Sequence, residues 1–161
     1  MITIRPAVAE DRSRIWDLLE PVFRAGDTYA VDPRISRDDA IGYWLDAPRA
    51  TYVAETPDGI VGTYYIKTNQ PGGGDHVCNC GYIVDPAARG QGIAQAMCAH
   101  SQDQARGFGY RAMQFNFVLS SNAGAVRLWQ RLGFAIVGTI PAAFRHPALG
   151  LVDAHVMHKT L

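Results

Sequence analysis

The stretch that most narrows the possible folds is Val84-Asp85-Pro86-Ala87-Ala88-Arg89-Gly90-Gln91-Gly92-Ile93-Ala94. A β-rich run ends there, and a loop of small residues opens directly into a helical pattern. The first N–H groups of a helix have no partners in their own helix, and aligned peptide dipoles add partial positive charge at that end. An anion such as a diphosphate can therefore sit on the backbone. Gly90, Gly92 and Ala94 keep side-chain bulk away from it, and Arg89 supplies a cation. The loop lacks G-x-x-x-x-G-K-S/T, and Gln95 stands where G-x-G-x-x-G would need its third glycine. A phosphate-bearing ligand is expected, of a kind that neither of those loops serves.

With 161 residues, 48% of them apolar, the chain has the size and hydrophobic content of one domain with a real core, and residues 1–161 are expected to form it. Lys plus Arg number 15 and Asp plus Glu 15, so no basic surplus exists to drive nucleic-acid binding. No apolar run approaches the roughly twenty residues a membrane span requires. Cys78, Cys80 and Cys98 are an odd set without C-x-x-C spacing, and the first residues show neither a cationic nor an apolar leader pattern. This reads as a reduced, cytoplasmic protein with no metal, in which the thiols on either side of Asn79 are small buried side chains.

Residues 2–5 read as a first strand and 10–24 as an amphipathic helix, with Ile15, Leu18, Leu19, Val22 and Phe23 on one side and Gly26 as its stop. Ser36, with Asp39 three residues on, caps a second helix over 36–46. Residues 51–55 and 60–67 form a hairpin closed by Asp58-Gly59. Pro71-Gly72-Gly73-Gly74 precedes no helix and reads as a flexible connection. A strand over 77–84, a helix over 90–106, a strand over 111–118 and a helix from Asn122 to Arg131 follow. Two last strands, 135–140 and 153–160, flank a Pro-containing loop.

Arg89, Gly92 and Ala94 fit R/Q-x-x-G-x-G/A, and the segment resembles motif A of the GCN5-related N-acetyltransferase (GNAT) superfamily. Downstream, Asn122-Ala123-Gly124-Ala125-Val126-Arg127-Leu128-Trp129-Gln130-Arg131-Leu132-Gly133-Phe134 resembles motif B, N-x-x-A-x-x-L-Y-x-x-x-G-F. The resemblance implies an α/β (α+β) fold, a mixed and mostly antiparallel central sheet with helices on both faces. Strands 77–84 and 111–118 would splay apart to admit the pantetheine arm of acetyl-CoA. It further implies that main chain near Tyr82, Ile83 and Val84 pairs with the pantetheine amides, as an added strand would. Arg89, Gly90, Gln91, Gly92, Ile93 and Ala94 would hold the diphosphate. Members of the superfamily often pair as homodimers, which makes a second copy a candidate partner.

Asn122 has two readings: a cap for the motif B helix, and a group that reaches the cofactor or the reacting amine. Trp129 stands where many relatives carry a tyrosine that protonates the departing thiolate, and an indole nitrogen cannot do so near neutral pH. The thiol of coenzyme A is close in acidity to free cysteine, about 8.5, so transfer tolerates the loss of that acid. Water, or a tyrosine such as Tyr82, is left to protonate the sulfur. The amine must be neutral to attack, yet Glu10, Glu20 and Glu55 are the only glutamates and none lies on the strand where the superfamily often keeps its base. Asp75 and His76 either serve through water or are simply exposed at a loop end.

Asn79 in His76-Val77-Cys78-Asn79-Cys80-Gly81, Asn116 in Phe115-Asn116-Phe117, and Asn122 form a set similar to that of the yeast-type proline-analogue (azetidine-2-carboxylate) N-acetyltransferases. The likeness runs from Tyr64 to the C-terminus. It implies that Asn79 binds a substrate carboxylate, helped by main-chain N–H groups at Asn116 and Phe117, while Asn122 orients the amine. An alternative for Asn79 is a buried amide satisfied by neighbouring backbone. Tyr29 would roof the acceptor pocket, and Phe144, Arg145 and His146 would close its other side. The expected activity is direct acetyl transfer to a small amine, best an amino acid or proline analogue. Acetylation of protein N-termini or drug amines is one rival, and a non-catalytic acyl-CoA-binding module is another.

Overall fold

Apolar residues spaced three and four apart place Ile15, Leu18, Leu19 and Phe23 on the buried side of the helix Arg12–Ala25 (α1), which Gly26 ends in the left-handed conformation. The computed structural model describes residues 1–161. Ser36 caps the short helix Arg37–Ile41 (α2), its hydroxyl accepting the Asp39 N–H. The helix expected to continue through 46 widens instead into one π-turn over Gly42–Asp46. Trp44 anchors that turn from both ends: its indole donates to Thr63 Oγ1 at 3.1 Å and its carbonyl accepts from Thr51 Oγ1 at 2.7 Å.

The strands Thr3–Pro6 (β1), Ala50–Thr56 (β2), Gly59–Thr68 (β3), Val77–Val84 (β4), Ala112–Leu119 (β5), Ala135–His146 (β6) and Gly150–Thr160 (β7) make one sheet in the order β1-β2-β3-β4-β5-β7-β6. All neighbours are antiparallel except β4 and β5, which run parallel and pair only at Val77 with Ala112 and Cys78 with Met113. Beyond that point the two strands part. The helices Ile93–Gly107 (α3) and Ala123–Arg131 (α4) cover one face, where Met97, Cys98, Met113, Phe115 and Trp129 share a core. On the other face α1 and α2 pack Phe23, Ile41 and Trp44 against Val53, Tyr65 and Ile83.

Three local expectations need correction. Gly72–Gly74 forms a 3₁₀ turn, with Gly74 and Asp75 donating back to Pro71 and Gly72, not a free connection. The helix after the glycine-rich loop begins at Ile93 and not at Gly90, because Gly90 and Gly92 both take positive φ. The Pro-containing loop is mostly strand: β6 runs through Pro141, which costs no ladder bond on an edge strand, and a bulge at Ala142 (φ 49°) is pinned by its N–H on Asp153 Oδ1 at 2.9 Å. Phe144, Arg145 and His146 therefore belong to β6.

Two carboxylates tie helix starts to strand ends. Asp11 accepts from Arg5 at 2.7 and 3.0 Å and from the Val8 N–H, and Arg5 holds its pKa below the ordinary carboxylate value. Asp85 is held low first by the Ala87 N–H and then by Arg14, which reaches it from α1 at 2.5 Å. A pKa lower folded than unfolded gives stability that is complete above the unfolded value of about 3.9 and is lost as pH falls through the folded one. The thermal midpoint is expected to fall below about pH 4. Asp85→Asn should flatten part of that slope in melts across acid pH, and an identical slope would count against this account.

Candidate active site

The parting of β4 and β5 creates the site. It opens a cavity of about 860 Å³ lined by β3, β4, β5, the α1–α2 connection and the starts of α3 and α4. At one end lies the turn that introduces α3. Asp85 Oδ1 accepts the Ala87 N–H, Pro86–Ala88 make a 3₁₀ turn, and Gly90 and Gly92 follow with φ of 78° and 76°. No N–H from Gly90 through Gln95 has a hydrogen-bond partner in the chain, so six consecutive donors face outward at a helix start. A Cβ at Gly90 or Gly92 would meet nothing within 4 Å, which leaves the backbone open to an anion. Arg89 lines the cavity beside them.

Ser121 adds a second sign of a missing partner. Its Oγ is shut away from solvent without a hydrogen bond, in a smaller cleft that also takes in Arg89, Asn122 and His146.

The other end of the cavity is set by the closed part of the fork. Asn79 is 7% exposed and donates from Nδ2 to the Gln114 carbonyl at 2.9 Å, one residue beyond the last β4–β5 pair. That bond engages one amide hydrogen, and Asn79 Oδ1 accepts nothing from the chain. Asn116 and Phe117 form a bulge in β5 and have no strand partner on either side. The Asn116 side chain is spent on Asn69 and Gln114, so what this residue offers the cavity is main chain.

Of the other expected residues, Tyr29, Tyr82, Val84, Ile93, Ala94, Asn122 and Trp129 line the cavity. Ile83 and Gln91 do not: the Ile83 side chain is buried under α1, leaving only its main chain for a ligand, and Gln91 is exposed. Asn122 Oδ1 caps α4 through the Ala125 N–H at 3.4 Å. Tyr29 donates to the Tyr82 carbonyl at 2.9 Å, which fixes the α1–α2 connection to β4, and burial raises its pKa. Trp129 packs between Tyr82 and Phe115 with ring centroids 5.1 Å from each, and its indole N–H has no partner in the chain.

Two assignments weighed for proton transfer fail. The Tyr82 hydroxyl is bonded to Ser101 Oγ at 2.7 Å under α3, and burial pushes its pKa far up, so it is no acid for the cavity. Asp75 and His76 are exposed and outside the cavity. Cys80 and Cys98 are buried with raised thiol pKa values, which leaves them unreactive. Sequence reasoning missed Tyr43, Tyr65, Lys67 and Arg131, all of which line the cavity. Tyr65 and Lys67 lie two apart on β3 and so share a face, a signal open to periodicity once β4 was seen as their neighbour.

A sheet forked at its one parallel pair, with unpaired amides at a helix start above the fork, defines an acyl-carrier-binding α/β protein of the acetyltransferase type. Residues 12–134 match the Acetyltransferase (GNAT) family, and the chain belongs to it as an N-acetyltransferase. N-acetyltransferase aca1 of Schizosaccharomyces pombe is 30% identical over 148 residues, which cover 81% of this chain and 71% of that protein. A GCN5-related N-acetyltransferase from Kribbella flavida superposes with a TM-score of 0.94 at 40% identity, over 99% of this chain and 98% of that one. The structure of yncA from Salmonella typhimurium, solved with its cofactor acetyl-CoA, superposes with a TM-score of 0.87 over 100% and 94% of the two chains. Its 22% identity speaks for the fold alone.

Proposed function

We propose that this protein transfers the acetyl group of acetyl-CoA to the amine of a small acceptor, an amino acid or proline analogue, by direct attack in a ternary complex. One observation carries the reading: six unpaired amides and Arg89 stand at the open end of the fork, while Asn79 and the unpaired main chain of Asn116 and Phe117 stand at its closed end. Acetyl-CoA supplies an activated thioester. The amides of residues 90–95 and Arg89 bind the diphosphate, and free edges of β4 near Tyr82, Ile83 and Val84 bind the arm. Trp129 and Phe115 wall the arm with aromatic surface. The remaining amide hydrogen of Asn79 and the N–H groups of Asn116 and Phe117 receive the acceptor's carboxylate, and Asn122 orients the amine from the start of α4.

No carboxylate or imidazole lines the large cavity. His146, in the adjoining cleft, accepts the Ala148 and Leu149 N–H groups on Nδ1, which places its neutral proton on Nε2 and removes it as a base. Asp27 is the one carboxylate of that cleft, so the amine gives its proton to solvent or, through water, to Asp27. The Schizosaccharomyces pombe relative supports N-acetyl transfer, and the three asparagines motivate the proline-analogue acceptor. Buried, unpaired thiols fit a reducing, cytoplasmic setting, and no helix is long and apolar enough to cross a membrane.

Release of coenzyme A with azetidine-2-carboxylate and a panel of amines tests the reading. Asn79→Ala should raise KM for the amino acid about tenfold, the worth of a hydrogen bond to a charged group, with acetyl-CoA affinity kept. An unchanged KM would remove the carboxylate role. Binding of acetyl-CoA without turnover of any amine would favour a non-catalytic module, and preference for peptide N-termini or drug amines would favour the other rival.

A further inference from the structure

We infer that Lys67 is the counter-ion for the acceptor's carboxylate, so the enzyme selects amines that carry an acid group and rejects those that do not. The inference rests on the small-amino-acid reading of the acceptor and adds the residue that enforces it.

Lys67 is a half-buried cation without a charge partner. Each ion pair of the chain is made by an arginine, and the Lys67 ammonium makes no hydrogen bond to protein. It is nevertheless held in place: its Nζ stands 5.3 Å from the ring centres of both Tyr43 and Tyr65, within the range of cation–π attraction. Those two rings line the same cavity. A lysine free to seek solvent would extend away from them, because its stem is flexible and its ammonium is strongly hydrated.

Position decides what the charge is for. Lys67 lies directly opposite Asn79 in the antiparallel β3–β4 register, so the two side chains rise from the same face of the sheet as neighbours. Asn79 is also the residue that bridges the closed end of the fork. The phosphate loop begins beyond Val84, five residues along β4, or roughly 16 Å away at the rise of a strand. A diphosphate held by Arg89 therefore leaves Lys67 unneutralised. Nothing else on the cavity wall can do so, since none of its 29 lining residues is Asp or Glu. The missing negative charge must come with the acceptor.

A fixed cation here has a second effect. Polycationic acceptors meet repulsion, and a quaternary or methylated ammonium finds the aromatic rings already occupied by the chain's own lysine.

Azetidine-2-carboxylate and azetidine-2-carboxamide differ only in the charge that Lys67 would meet. Wild-type enzyme should show a KM for the acid at least about tenfold below that for the carboxamide, and Lys67→Met should raise the acid's KM by about tenfold to a hundredfold while leaving the carboxamide's in place. Lys67→Arg should keep most of the preference. Calorimetric affinity for acetyl-CoA should be the same in all three proteins, which separates loss of the ion pair from loss of the fold. Equal KM values in the wild type, or a Met variant that weakens both substrates alike, would overturn the Lys67 role while leaving the acetyltransferase reading intact. If the wild type acetylates no carboxylate-bearing amine in a panel of amino acids, both the acceptor reading and the Lys67 role fail together.

Discussion

Gly92→Glu should abolish measurable acetyl-CoA uptake, with affinity at least about a hundredfold weaker by calorimetry on folded protein. Two separable effects add. Gly92 caps α3 at φ 76°, and any side chain in the left-handed region costs about 1–2 kcal/mol of local strain. That cost alone lets the turn relax and shifts some of the six free amides. A carboxylate then projects from a point with nothing within 4 Å, into the volume proposed for the diphosphate. Because a Cβ there meets no protein atom, charge is expected to do most of the damage. Gly92→Ala isolates the backbone effect and should lose far less affinity than the glutamate. The extra loss in Gly92→Glu should shrink as salt rises from about 0.05 to 0.5 M, by roughly the screening expected when the Debye length falls from about 14 to 4 Å. Wild-type affinity in the glutamate variant would mean that the ligand's phosphates bind elsewhere.

The glycine-rich turn before α3 was legible because its features are local: positive φ, free amides and an adjacent cation all fall within Arg89–Ala94 and leave a mark on residue type. Asn122 was legible for the same reason, since capping is a relation between residues three apart. The closed end of the fork was only half visible. Asn79 and the Asn116–Phe117 bulge came from resemblance, yet nothing local says that Asn79 faces the Gln114 carbonyl or that β5 slips register there. Lys67 looked like the polar end of a hairpin strand. Its meaning depends on two tyrosines, one on β3 and one in the π-turn after α2, and that turn was itself read as plain helix because Trp44's two tertiary hydrogen bonds override local propensity. The last hairpin was misread for a related reason. Pro141 signals a break in a central strand, but β6 is an edge, and the Asp153 carboxylate that secures the bulge comes from the opposite strand.

Gly81→Ala should be the most damaging single-methyl change on the cavity wall. Gly81 faces Tyr65 across the β3–β4 register, and a Cβ there would lie 2.7 Å from Tyr65 Cε1 and 2.9 Å from Cζ. Contacts so short cannot persist, and the ring has little room to retreat. Trp44 stands edge-on to it at 4.7 Å, Tyr43 at 6.0 Å, and Lys67 above it. Overpacking of this kind costs about 1–3 kcal/mol. For a chain of this length that is a fall of roughly 3–10 °C in thermal midpoint. The displaced ring should carry Lys67 with it, so KM for the acceptor should rise while acetyl-CoA affinity, set at the far end of β4, holds. Tyr65→Leu supplies the control, because the smaller side chain frees the volume the methyl needs. If the clash with Tyr65 is the cause, Gly81→Ala should cost much less when combined with Tyr65→Leu, giving a coupling of at least about 1 kcal/mol in a double-mutant cycle. Additive free energies would show that the strand, and not the ring, resists the methyl, and that the shape of the closed end of the fork is set by β4 alone.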